Sequence, residues 1–114
     1  MEILMPEIID IEKLRQLVDE DLAQMYRKVI KLGEESGETM AAFLDWDKSP
    51  NVSASSRSDN PREALMEEAV DTMLCAMDVI VSLGYTNTEI RQMADRKMDK
   101  WQNKIKNRKS VNKS

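Results

Sequence analysis

Two pairs of carboxylates carry the most chemistry in this sequence. The first lies in Lys31-Leu32-Gly33-Glu34-Glu35-Ser36-Gly37-Glu38, where Glu35 and Glu38 stand three residues apart. The second lies in Glu67-Glu68-Ala69-Val70-Asp71, where Glu68 and Asp71 repeat that spacing. Residues three apart on a helix share one face. If the two helices pack side by side, four carboxylates converge. Like charges at that range repel, so the arrangement holds only if a cation enters it or the acids take up protons. The chain has no histidine, so the ligand atoms on offer are oxygens. Oxygen donors favour a hard ion, Mg²⁺ or Mn²⁺.

Helices must position these acids, and the apolar spacing predicts them. Asp10 suits an N-cap for a helix opening at Ile11. Apolar residues then recur at Ile11, Leu14, Val18, Leu22, Met25, Val29 and Leu32, and the period runs on into Met40, Phe43 and Leu44. One helix of that length is long for a small domain, so two are expected, jointed near Asp19-Glu20-Asp21. Gly33 and Gly37 lie inside the pattern, where each costs about 1 kcal/mol relative to Ala. Two glycines four apart suggest that another helix or a ligand comes close to the backbone there.

Residues 47–60 are polar and serine-rich and read as one long loop joining the two acidic helices. The next helix opens cleanly, with Asn60 as N-cap, Pro61 at the first position and Glu63 completing a capping box. Gly84 stands where a helix C-terminus is expected. One half of this helix holds Leu65, Ala69, Val70, Met73, Leu74, Met77, Ile80 and Val81. The other half holds Glu67, Glu68, Asp71, Thr72, Cys75, Asp78 and Ser82. A solvated face usually mixes both charge signs, and this one is acidic only. A second capping box, Thr86 to Glu89, starts a further helix with Ile90, Met93, Ala94, Trp101 and Ile105 on one side. Past Asn107 apolar residues give out and fraying is expected.

The whole chain narrows the class. Its 114 residues are 41% hydrophobic and 33% charged, with nine methionines and only five aromatics. Three glycines and three prolines favour an all-α fold of about four helices over a turn-rich β fold. One domain over residues 1–105 is expected, with a basic tail at 106–114. A core this small gains from oligomerisation. The single Cys75 excludes an internal disulfide and fits a reducing compartment. Glu2, Glu7 and Asp10 break up the N-terminal apolar residues, which is not a signal-peptide pattern, and no apolar run is long enough to span a bilayer. A cytoplasmic protein without membrane partners is expected. From Lys104 onward there are five basic residues and no acid, so the rest of the chain carries a net −9. An acidic body argues against nucleic-acid binding.

Taken together, Glu-x-x-Glu followed by Glu-x-x-Asp, with Lys97-Met98-Asp99-Lys100-Trp101 as a basic third motif, resembles the MazG-like all-α nucleoside triphosphate pyrophosphohydrolases. The likeness covers roughly residues 22–105. It implies a helical bundle assembled as an intertwined dimer or dimer of dimers. It also implies a Mg²⁺ site built by these acids, and cleavage of (d)NTP to (d)NMP and pyrophosphate. Glu35, Glu38, Glu68 and Asp71 are then the metal ligands. Glu34 or Glu67, next in line, could orient or deprotonate the attacking water. Lys97 and Lys100, with Lys31 and Arg96, could neutralise the departing phosphates. Trp46 could stack on the base. No P-loop glycine pattern is present, and the stretch from Ser53 to Ser58 matches no motif of the family.

Each role has a plainer alternative. Lys31 could simply pair with Glu35 one turn on. Lys97 and Lys100 could be surface lysines, Glu34 and Glu67 exposed acids, and Trp46 a core or interface residue. Cys75 reads as a small filler, since no histidine base exists to activate it. The rival function is a non-enzymatic helical dimerisation or regulatory module whose acidic face meets a basic partner. A di-iron carboxylate bundle is disfavoured because such sites use Glu-x-x-His.

Overall fold

A computed structural model describes residues 8–47 and 60–112. These form four helices: α1 (Ile11–Glu20), α2 (Met25–Trp46), α3 (Pro61–Ser82) and α4 (Asn87–Asn112). No strand occurs among the described residues, so the fold is all-α. No helix among them is long and apolar enough to cross a membrane. Most of the expected polar loop, residues 48–59, lies outside the described residues, as does the lead-in at 1–7.

Local chemistry accounts for the boundaries. The Asp10 carboxylate accepts the Lys13 backbone N–H at 3.0 Å and caps α1. The expected joint falls at residues 21–24. There the Asp21 carboxylate accepts the Ala23 N–H at 2.9 Å, an Asx turn that competes with helix continuation. At α3, Asn60 accepts the Glu63 N–H at 3.2 Å, and Pro61 opens the helix. Gly84 takes φ +92°, a left-handed conformation that closes the end of α3. The box at α4 is complete: Thr86 N–H donates to Glu89 Oε1 at 2.9 Å, and Glu89 N–H to Thr86 Oγ1 at 3.1 Å. That helix runs on to Asn112, beyond the point where fraying is expected.

The chain divides into two compact units, residues 1–83 and 84–114. In the first, α2 and α1 both pack on α3. Thr39 meets Glu68 and Thr72, while Lys28 meets Asp78 and Ser82. Rising numbers on one helix thus meet falling numbers on the other, and α2 and α3 are antiparallel. The second unit is α4, with Ile90 half-buried and Met93, Met98, Trp101 and Ile105 exposed along it.

Burial departs from the simple amphipathic picture. Among the described residues, Leu14 and Val81 are the buried apolar side chains, whereas Lys28, Glu35 and Asp45 are buried and charged. On α3 the polar half is the one turned to α2: Glu68, Thr72, Asp78 and Ser82 all bond across to it. Val70 and Leu74, on the apolar half, line an open cavity of about 490 Å³ shared with Leu14, Leu17 and Val18 of α1. Tyr26, Ile30 and Met40 lie on the far side of α2 from its buried residues, all more than half exposed. Gly33 and Gly37 share that outer side, and a Cβ built on either meets nothing within 4 Å. The close approach expected at these glycines is therefore not made by any described residue, because their side of the helix faces outward.

Leu14 is the buried anchor of α1. Leu14→Ala should cost about 2–4 kcal/mol, read as a lower urea midpoint with an unchanged slope. A loss under about 0.5 kcal/mol would mean that α1 adds nothing to the core.

Candidate metal centre

The acid pairs meet across the α2–α3 seam. One carboxylate oxygen from each of Glu35, Glu68 and Asp71 lies within 4.8 Å of the others. Glu35 is 5% exposed, Glu68 half-buried and Asp71 exposed, so the group runs from the seam out to solvent. Glu38 stands outside this trio but acts on it through Glu68. Burial pushes the Glu68 carboxyl above its ordinary value of 4.5, and a hydrogen bond with Glu38 adds to the rise. The charges of Glu38, Asp71 and Glu35 push the same way. The other three acids expected to converge are thus within electrostatic reach of Glu68.

Two of the carboxylates are incompletely satisfied. Glu35 Oε1 takes the Lys31 ammonium at 2.9 Å. Its Oε2 is buried and accepts no hydrogen bond, and the same holds for Glu68 Oε2. A buried carboxylate oxygen without a partner is costly. An all-oxygen donor set with buried unsatisfied atoms fits a hard divalent cation. Glu35, Glu68 and Asp71 are placed to hold one, with Glu38 beside them.

The other expected residues fall as follows. Lys31 is more than half exposed and pairs with Glu35 one turn on, so its plainer reading is realised. The hydrogen bond and charge of Glu35 hold its ammonium above the ordinary lysine value. Glu34 and Glu67 are exposed and lie outside the trio. Trp46 ends α2 at 48% exposure, its ring tilted 58° against Phe43 with centroids 6.1 Å apart. Arg96, Lys97 and Lys100 are exposed on α4, where Arg96 Nη2 contacts Met93 Sδ at 3.5 Å. Cys75 is half-buried, and burial pushes its thiol up, away from the reactive thiolate.

Sequence reasoning missed Lys28 and Thr39. Lys28 is buried and donates to Asp78 Oδ1 at 2.9 Å and Ser82 Oγ at 2.8 Å. Asp78, on the acidic half of α3, is its counter-ion. Thr39 Oγ1 lies 3.0 Å from both the Glu35 and Glu68 carbonyl oxygens and 2.9 Å from Thr72 Oγ1. A spacing signal was available: Lys28 stands seven before Glu35 and Asp78 seven after Asp71, which keeps each on its own helix's acid-bearing face.

The raised Glu68 carboxyl has a consequence for stability. The folded chain binds that proton more tightly than the unfolded one does. The resulting stabilisation is present below pH 4.5 and is lost as pH rises through the raised value. In EDTA, melts between about pH 4.5 and about pH 8 should therefore show a steeper loss for wild type than for Glu68→Gln. Parallel curves would show that Glu68 titrates as an ordinary carboxyl.

Comparison with family models, with curated proteins and with solved structures finds no match.

Proposed function

We propose that this chain is a divalent-cation-dependent nucleoside triphosphate pyrophosphohydrolase. The observation that supports the reading most is the meeting of Glu35, Glu68 and Asp71 across two helices, with buried oxygens of Glu35 and Glu68 left without hydrogen bonds. A triphosphate is polyanionic and cannot approach such a group without positive charge between them. Glu35, Glu38, Glu68 and Asp71 would hold the ion. Bound Mg²⁺ would supply Lewis acidity at the phosphate and lower the pKa of a water.

The chain's own residues do the rest. Glu34 or Glu67 takes a proton from the water that attacks the α-phosphorus. The bond from that phosphorus to the bridging oxygen breaks, and pyrophosphate leaves with the bridging oxygen's electron pair. Lys97, Lys100 and Arg96, on the separate α4 unit, are the basic residues that the resemblance assigns to the departing phosphates. Lys31, already held by Glu35, serves more simply to temper the acid group. Half-exposed Trp46 offers a ring face for a base. The rival reading, an acidic partner-binding face, is weakened by the burial of Glu35.

A panel of ribo- and deoxynucleoside triphosphates with Mg²⁺, read by pyrophosphate release, tests the reaction. Glu38→Ala and Asp71→Ala should each lower kcat by about 10²-fold or more. Silence across the panel, or full turnover in both variants, would overturn the assignment. The rival module predicts a melting temperature that Mg²⁺ does not raise.

The assembly is a homodimer or a dimer of dimers in this reading. Support comes from the scarcity of buried apolar side chains and from the open stripe of Tyr26, Ile30 and Met40 on α2. A second copy would cover that stripe, with Gly33 and Gly37 allowing close approach. Ile30→Asp together with Met40→Asp should convert the oligomer to a monomer by light scattering. A wild-type chain that is already monomeric at working concentration would end this part of the reading.

A further inference from the structure

The deepest side chains that α2 buries are Lys28, Glu35 and Asp45, all charged. The α2–α3 seam is therefore not specified by apolar packing at its centre. An apolar seam repeats at each turn, so a slip of one turn, about 5.4 Å, offers a similar apolar surface. Polar partners do not repeat in that way. A buried ammonium moved one turn from its carboxylate is left without a counter-ion.

Two polar clamps bracket Glu35 along this seam. Seven residues before it, Lys28 Nζ reaches Asp78 Oδ1 at 2.9 Å and Ser82 Oγ at 2.8 Å, and its side chain is 6% exposed. Ser82 Oγ also lies 3.3 Å from Asp78 Oδ1 and closes the triad. Four residues after Glu35, Thr39 Oγ1 touches the carbonyl oxygens of Glu35 and Glu68, two of the three gathered acids. Thr72 Oγ1 lies 3.0 Å from the same Glu68 carbonyl and 2.9 Å from Thr39 Oγ1. Thr72 reaches the Glu68 carbonyl within α3 in any register, whereas the contacts of Thr39 with that carbonyl and with Thr72 form only while α2 and α3 keep this register.

We propose that Lys28 and Thr39 are positioning residues, which lock the antiparallel register of α2 on α3 so that Glu35, Glu68 and Asp71 converge on a divalent cation. This rests on the cation reading given under Proposed function. Replacing a buried ion pair by apolar residues of similar size is often neutral or stabilising, whereas register specificity is what such pairs can supply. Loss of the clamps should therefore separate stability from cation binding.

The test uses the full chain with Lys28→Met and Asp78→Leu together, and separately Thr39→Val. Three quantities are read: the melting temperature, Mn²⁺ affinity by electron paramagnetic resonance, and an α2–α3 distance. The distance comes from spin labels on Arg27→Cys and Arg62→Cys in a Cys75→Ser background, diluted with unlabelled chain. The expected result is a melting temperature equal to or above wild type in the double variant. Mn²⁺ affinity should fall by about tenfold or more in each case. The distance distribution in the double variant should shift or broaden by about one turn, 5.4 Å. Lys28→Arg, which keeps the cation, should retain wild-type distance and affinity. Unchanged distances in the double variant overturn the register lock. Shifted distances with unchanged Mn²⁺ affinity overturn the positioning role. A wild-type chain that binds no Mn²⁺ overturns the cation reading instead, and the distances alone then decide the register.

Discussion

Carboxylates drawn together at the seam between α2 and α3 are the constraint that the first unit is built around. Glu35, Glu68 and Asp71 bring oxygens within 4.8 Å, and Glu38 adds its charge to Glu68. Repulsion at that range grows as water is removed. The structure answers it twice within the chain. Lys31 places its ammonium on one oxygen of Glu35, and Glu68 holds its proton more tightly than a free carboxyl does. A divalent cation would be a third answer, and it competes with the proton on Glu68. If a cation binds there as proposed, protonation of Glu68 would oppose it, and ion affinity would depend on pH.

Around this group the usual arrangement of a helical unit is turned about. The inner side of α2 carries Lys28, Glu35 and Thr39, while Tyr26, Ile30 and Met40 look outward. Buried polar groups tell the helices how to align but add little net stability once desolvation is counted. Apolar burial, the larger favourable contribution in most domains, is sparse here. In the proposed assembly, the open side of α2 is where a second copy would add apolar burial.

The same economy appears along α3, which has neighbours on both sides. Its acidic half takes α2 and its apolar half takes α1. Glu68, Thr72, Asp78 and Ser82 form a ladder of oxygen groups that meets Lys28 and Thr39. Asp71 lies within that ladder and reaches the gathered acids. A single helix thus supplies the counter-ion for a buried lysine and two of the three gathered carboxylates.

Much of this was legible in the residues themselves. The four helices, the caps at Asp10, Asn60 and Thr86, the break after Asp21 and the terminal Gly84 all follow from interactions within a few residues. The acid pairs, too, could be placed on helix faces by counting in threes. What counting could not supply is which face meets which. The acidic-only half of α3 does not read as an ordinary solvated face, but only packing makes it the half that α2 covers. Gly33 and Gly37 read as contact points, yet no described residue approaches them. Lys28, Thr39 and Thr72 look like unremarkable helix residues until α2 and α3 are laid side by side. Helix formation is decided by neighbours three and four residues away. The pairing of Lys28 with Asp78, fifty residues apart, depends on the register of two helices, and that was settled only by tertiary packing.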